Sequence, residues 1–199
     1  MPKQPSIKEE RTFLMVKPDG VKRGLVGEAI RRVEQRGLKI IGLKMIKPPL
    51  SQIEAHYPNT QEWLANIGKK TQATYEKYGH DIKKDLGTDN HIEIGKLVFD
   101  WITDHLTSGP MVAMVIEGVH AITMVRKIVG TTYPSESDMG TIRGDYSVDS
   151  PVLANNEHRV VHNIVHASGD STEAAHEIAL WFTPTELHDY KRGEEDLMF

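Results

Sequence analysis

Two runs of strand, helix and strand, separated by a long charged helical stretch, predict an α/β (α+β) fold. The arrangement is a ferredoxin-like βαββαβ sandwich with an antiparallel sheet, plus a helical insert. The first run lies within residues 12–46, and the second begins at residue 111 and closes on His166.

Residues 12–16 are apolar and read as a buried strand, which Lys17, Pro18, Asp19 and Gly20 break, leaving Lys17 at a strand end. The polar residues before it are expected to be mobile. In residues 25–36, Leu25, Ala29, Ile30 and Val33 recur at helical spacing and Gly37 offers a C-cap. A second strand, residues 38–46, ends at Pro48 and Pro49. The capping-box sequence Ser51, Gln52, Ile53, Glu54 opens a helical region that runs to Leu106. Within it Ile94, Leu97, Val98, Trp101 and Ile102 share one helix face. Charged residues 69–90, with Gly79 and Gly87, predict two helices and turns. Residues 59–98 are assigned to an insert at the rim of a single domain spanning residues 1–199. After Ser108, Gly109 and Pro110 come a strand at residues 111–116 and an amphipathic helix at 121–129 that Gly130 ends. Residues 131–150, with Pro134, Gly140 and Gly144, are expected to form a surface loop, and a loop of that length is functional or disordered. The last strand runs through Val160, Val161, Ile164 and Val165 to His166. Helices should cover one face of the sheet and leave the other for a partner subunit.

Composition narrows the function. A net charge of −4 argues against extended nucleic-acid binding, so an anionic small substrate needs a local cluster of cations. The chain has no cysteine, which excludes disulfides, thiolate metal sites and cysteine nucleophiles together. No apolar run approaches the roughly 20 residues of a membrane span, and MPKQPSIKEE lacks a secretory core. A cytoplasmic protein without membrane contact is expected.

The chemistry converges on His166. A β-branched run delivers it to Ser168, Gly169, Asp170 and Ser171, whose turn and N-cap chemistry opens an Ala- and Glu-rich helix. Free N–H groups at a helix N-terminus attract phosphate. An imidazole, with its ordinary pKa of about 6.5, is substantially neutral and nucleophilic near pH 7. Attack on a terminal phosphoryl group would give a covalent intermediate and divide the transfer into two half-reactions. Lys17, Arg126 and Arg143, at element ends or in the long loop, are the cations that such a transfer requires.

The chain resembles the nucleoside diphosphate kinase family. Residues 10–27, ERTFLMVKPDGVKRGLVG, are similar to that family's opening strand and turn, and residues 140–145, GTIRGD, to its arginine-bearing loop. Residues 163–182 resemble its histidine signature, N-x-x-H-G-S-D with a Glu-rich helix, and residues 108–118 add to the match. The resemblance implies Mg²⁺, nucleoside tri- and diphosphate substrates and transfer of a γ-phosphoryl group between them. It also implies a homo-oligomer, a hexamer or a tetramer. His166 becomes the phosphorylated nucleophile, with Lys17, Arg126, Thr132, Arg143 and Asn163 on phosphates and ribose hydroxyls. Tyr57 and Glu177 would orient the ring, with Glu173, one turn earlier on the same helix face, as the rival to Glu177. Asp170 would lie near Mg²⁺ through water, or serve as a plain helix cap, or both.

This chain also departs from the family pattern. It has His166, Ala167, Ser168, Gly169, Asp170 where the family has H-G-S-D, which adds one residue before the acid. The insert covers the place of the family's base-stacking aromatic. Trp63, Phe99 and Trp101 are candidates there, and Phe99 is carried into the nucleotide-binding set. The added stretch at residues 149–158 adjoins the nucleotide loop. Three rivals remain: a zinc site from His158, His162 and His166, spaced four apart; a hydrolase using Ser168, which lacks the G-x-S-x-G elbow; and a nucleotide-binding regulatory protein without turnover.

Overall fold

The computed structural model describes residues 7–198. In chain order its elements are β1 (Glu10–Val16), α1 (Pro18–Lys22), α2 (Val26–Gln35), β2 (Lys39–Ile46), α3 (Leu50–His56), α4 (Gln61–Lys77), α5 (Ile82–Leu86), α6 (His91–Thr107), β3 (Met111–Gly118), α7 (Ala121–Val129), α8 (Ile142–Tyr146), α9 (Pro151–Asn156), β4 (Val165–Ala167), α10 (Ser171–Trp181) and α11 (Glu195–Met198). The stretch expected to be mobile lies outside the described residues up to residue 6, and from there a 3-10 turn, Ile7–Glu9, leads into β1.

The chain forms two compact units. One comprises residues up to 47, 110–148 and from 163 onward, and the other residues 48–109 and 149–162. The first holds the sheet, in the order β2-β3-β1-β4 with every neighbour antiparallel. That is the ferredoxin-like order, with the two central strands contributed by the two halves. Register decides the faces. Leu43 pairs with Met114 and Met114 with Leu14, so these three point the same way, and Val112 with Val16 likewise. Leu14, Val16, Val112 and Met114 pack with Ala29 and Val33 of α2 and with Ala121, Val125 and Val129 of α7 in one core. Met15 pairs with His166, which puts His166 on the opposite face. That face is not bare: Trp181 of α10 stacks on Phe13 at 5.7 Å.

In the second unit, Tyr75, Ile82 and Ile94 form a small core. Three of its helices, α4, α5 and α6, begin at side-chain caps: Thr60 accepts from the Trp63 N–H, Asp81 from Lys83 and Lys84, and Asn90 from Ile92 and Glu93. Helices α4 and α6 meet backbone to backbone. A Cβ at Gly68 would lie 1.9 Å from the His91 carbonyl oxygen, and one at Gly95 2.1 Å from that of Leu64. Residues 149–162 are tied by Asp149, which accepts from Arg159 Nη1 at 2.6 Å and from the His162 N–H at 2.7 Å. The expected insert, 59–98, and added stretch, 149–158, both fall in this unit.

Four expectations need correction. The last strand is Val165–Ala167 only, because Ile164 takes a left-handed φ of 70° and ends the extended run. Helix α3 starts at Leu50 behind Pro49, which fixes an extended entry, so Ser51 lies inside the helix rather than capping it. Residues 131–150 are no simple surface loop: a 3-10 turn (Pro134–Glu136) and α8 organise them, and Ile142 and Arg143 are buried. On α6 the buried residues are Ile94, Gly95, Phe99, Thr103 and Leu106, while Leu97, Val98, Trp101 and Ile102 flank them half-buried.

Candidate active site

The site grows from the end of β1. There the Lys17 N–H donates to the Ile164 carbonyl at 2.8 Å, and the Ile164 N–H donates to Asp19 Oδ2 at 2.9 Å. Held between these bonds, residues 163–165 close a γ-turn: the Val165 N–H reaches the Asn163 carbonyl at 2.7 Å with Ile164 at φ 70°. This is the rare, strained hand of that turn, and a β-branched residue adopts it only where tertiary bonds over-determine it. The turn sets Asn163 facing Lys17, whose Nζ donates to Asn163 Oδ1 at 2.9 Å. Asn163 Nδ2 donates to the Thr132 carbonyl at 2.8 Å.

Arg143 anchors the surrounding backbone. Its guanidinium donates to the carbonyls of Asn163 (3.2 Å), Gly130 (3.0 Å), Thr131 (2.8 Å) and Val165 (2.6 Å). A buried cation satisfied by carbonyl dipoles keeps its charge, and that charge acts on its neighbours. Burial, reinforced by repulsion from Arg143 and opposed by Asp19, brings the Lys17 ammonium down to about 8.

His166 lies one residue past the γ-turn's last member. Its Nε2 is 2.7 Å from Glu177 Oε1, and Glu177 Oε2 accepts from the Ser168 hydroxyl at 2.6 Å. Ser168 is in turn fixed by the Phe13 N–H on its Oγ at 3.3 Å and by its own N–H on the Phe13 carbonyl at 3.2 Å. Glu177 and Ser168 are buried. A carboxylate that takes a hydroxyl on one oxygen asks the imidazole for its N–H on the other, so the proton sits on Nε2 and the ring lone pair on Nδ1. Burial first, then the fields of Lys17, Arg143 and Arg126, hold the imidazole well below its usual pKa, with Glu173 opposing. The ring is therefore neutral at physiological pH. A neutral, oriented imidazole within a cationic field is a nucleophile for an anionic phosphorus centre.

The family model described as nucleoside diphosphate kinase matches residues 10–65 and 83–187. The chain belongs to the nucleoside diphosphate kinase family. The unmatched residues between the two segments fall inside the stretch expected as an insert. Among relatives, a nucleoside diphosphate kinase of Pyrobaculum aerophilum is 48% identical over 178 residues, covering 89% of this chain and 97% of that protein. The crystal structure of an NDP kinase from the same organism superposes with a TM-score of 0.88 at 46% identity, covering 91% of this chain and 100% of that one. A transition-state mimic of nucleoside-diphosphate kinase from Borrelia burgdorferi, with bound vanadate and ADP, matches with a TM-score of 0.75 at 32% identity over 96% of both chains.

The remaining residues expected from the nucleoside diphosphate kinase family take varied places. Arg126, near the end of α7, is exposed, and Thr132 is exposed with its carbonyl bound by Asn163. Glu173 Oε2 accepts the Gly169 N–H at 2.6 Å, while Glu177 is the carboxylate bonded to His166. Asp170 caps α10, with Oδ1 accepting from Thr172 at 2.8 Å and Glu173 at 2.9 Å. Tyr57 and Phe99 belong to the second unit. Tyr57 lies 5.9 Å from the Trp63 ring, and Phe99, only 7% exposed, meets Trp63 edge-on at 6.0 Å. In the candidate stacking set Trp63 and Trp101 are both half-buried and so more open than Phe99. Of the histidine triplet proposed for zinc, His158 stacks on Trp101 and His162 on His105, while His166 is bonded to Glu177. Two residues hold the site in ways the sequence pattern did not assign to them: Ser168 bonds Glu177, and Asp19 accepts the Ile164 N–H. Ser168 stands two residues after His166, on the same face of an extended chain, which is the signal that points to it.

Proposed function

We infer that this chain is a nucleoside diphosphate kinase that passes the γ-phosphoryl of a nucleoside triphosphate to a nucleoside diphosphate through His166. The observation carrying the reading is the relay from Ser168 through Glu177 to His166 Nε2, which puts the ring proton on Nε2 and the nucleophilic lone pair on Nδ1, in a ring that feels the fields of Lys17, Arg143 and Arg126. In the first half-reaction Nδ1 attacks the γ-phosphorus, the bond to the bridging oxygen breaks and the diphosphate leaves. In the second, a terminal oxygen of another diphosphate attacks the phosphorus and the P–N bond breaks. Lys17, Arg126 and Arg143 stabilise the charge on the phosphoryl oxygens, and Asn163 and Thr132 position phosphate and ribose groups. Glu177, with Tyr57, orients the ring and stabilises the proton on Nε2. The relative that holds vanadate and ADP supports this reading.

Mg²⁺ is proposed as cofactor; bound mainly by the nucleotide's phosphates, it would neutralise their charge. Asp170 fits a water-mediated contact, since it is exposed and its Oδ1 alone takes both capping N–H groups. Phe99 is retained as a base contact beside the more open Trp63. A homo-oligomer and a cytoplasmic location complete the proposal. No helix of the described residues is long and apolar enough to cross a membrane.

Incubation with terminally labelled ATP and Mg²⁺ tests the reading. An acid-labile, base-stable label, discharged by a second nucleoside diphosphate and lost in His166→Gln, is expected. Labelling that persists in the variant would put the nucleophile elsewhere, and nucleotide affinity without any label would favour a binding protein.

A further inference from the structure

The N-terminus of α10 carries two carboxylates with different duties. Asp170 is the cap proper. In the usual reciprocal cap, the Glu three residues on reaches back to the N–H of the capping residue itself. Here Glu173 reaches one residue further, to the Gly169 N–H at 2.6 Å. Gly169 has no side chain to keep it away: a Cβ there would lie 2.6 Å from Glu173 Oε2 and 3.7 Å from Arg126 Nη1. A negative and a positive charge thus flank one backbone position three residues beyond His166.

We propose that Glu173 sets nucleotide affinity in this site: its carboxylate, fixed on Gly169 beside Arg126, is a built-in counter-anion that weakens the grip of the cations on bound phosphates. The inference rests on the transfer reading above. A site that must release one nucleotide before accepting the next gains nothing from ground-state phosphate binding so tight that release becomes slow. Lys17 at the end of β1, Arg126 on α7 and Arg143 on α8 supply the attraction, and Glu177 is engaged by His166 and Ser168. Glu173 is the acidic group whose field on His166 opposes those three cations. It is exposed, so its influence is screened and its expected effect modest.

Glu173→Gln isolates the charge, because the amide oxygen can still accept the Gly169 N–H. ADP affinity measured by calorimetry in EDTA, which removes any contribution from Mg²⁺, is expected to tighten about 2- to 5-fold. KM for the diphosphate should fall with it, kcat should not rise, and the gain should shrink in high salt. Glu173→Ala should give the same tightening with a lower Tm. Unchanged affinity and KM in both variants, with only Tm reduced in the alanine variant, would make Glu173 a helix cap and overturn the proposal. A wild-type chain that takes no label from ATP would overturn the transfer reading and this inference together, whereas a labelled chain indifferent to both substitutions overturns this inference alone.

Discussion

Ser168 illustrates how a small residue can fix a larger one's geometry. Its hydroxyl fixes one oxygen of Glu177 so that the other meets His166 Nε2. A hydrogen bond to a charged group is worth about 1.5–3 kcal/mol, so Ser168→Ala should lower kcat at least roughly tenfold, with little change in nucleotide affinity. A rise in KM with kcat unchanged would show that the relay does not orient the ring. Lys17 makes the complementary prediction on the alkaline side. Its ammonium, brought down to about 8 by burial, is charged below that pH and neutral above it. Phosphate attraction therefore weakens as pH rises through about 8, and ADP affinity should decline there. In Lys17→Arg that decline should vanish, since a guanidinium keeps its proton. Lys17, Arg126, Arg143 and His166 stood out in the sequence by residue type and by position at element ends or in the long loop, and Asn163 only through the family resemblance. What the letters withheld was that Arg143 is buried against four carbonyls, since a guanidinium's partners there are backbone groups with no sequence signature.

At the scale of elements, α10 and the α4/α6 pair give the clearest tests. Asp170 caps α10, so Asp170→Ala should cost about 1 kcal/mol of stability and Asp170→Asn almost nothing, measured by denaturant unfolding. If Asp170→Asn also weakens the Mg²⁺ dependence of ADP binding, the metal role stands beside the cap; unchanged dependence leaves only the cap. Between α4 and α6, Gly68→Ala or Gly95→Ala would force apart backbones already in contact. A loss of about 1–3 kcal/mol or more is expected, and a neutral result would mean that the helices do not cross this closely. Helix α7 was legible to its ends because its apolar spacing and Gly130 agree. The last strand was not: its β-branched letters favour extension, yet Ile164 is bent into a γ-turn by bonds to Asp19 and Lys17, some 145 residues away in the chain.

At the scale of the whole molecule, a chain of net charge −4 nonetheless brings the fields of three cations, Lys17, Arg126 and Arg143, onto one histidine. β2 is an edge strand and exposes Leu43 and Met45, at 50% and 61%. Sedimentation should accordingly report a species heavier than the 22.4 kDa chain, and a monomer at working concentration would remove the oligomer from the proposal. The sequence by itself determined the strand and helix order of the two halves and, by residue type, the histidine and the cations proposed to act together. These depend on local periodicity, turn residues and side-chain chemistry, all carried by neighbouring letters. Only the tertiary structure decided that Glu177 rather than Glu173 binds the ring, that Ser168 steadies it, that Ile164 is strained and that residues 48–109 and 149–162 make a compact unit of their own. The physical reason is that each of these depends on distances between groups far apart in sequence, which backbone hydrogen bonds and packing fix and residue spacing does not encode.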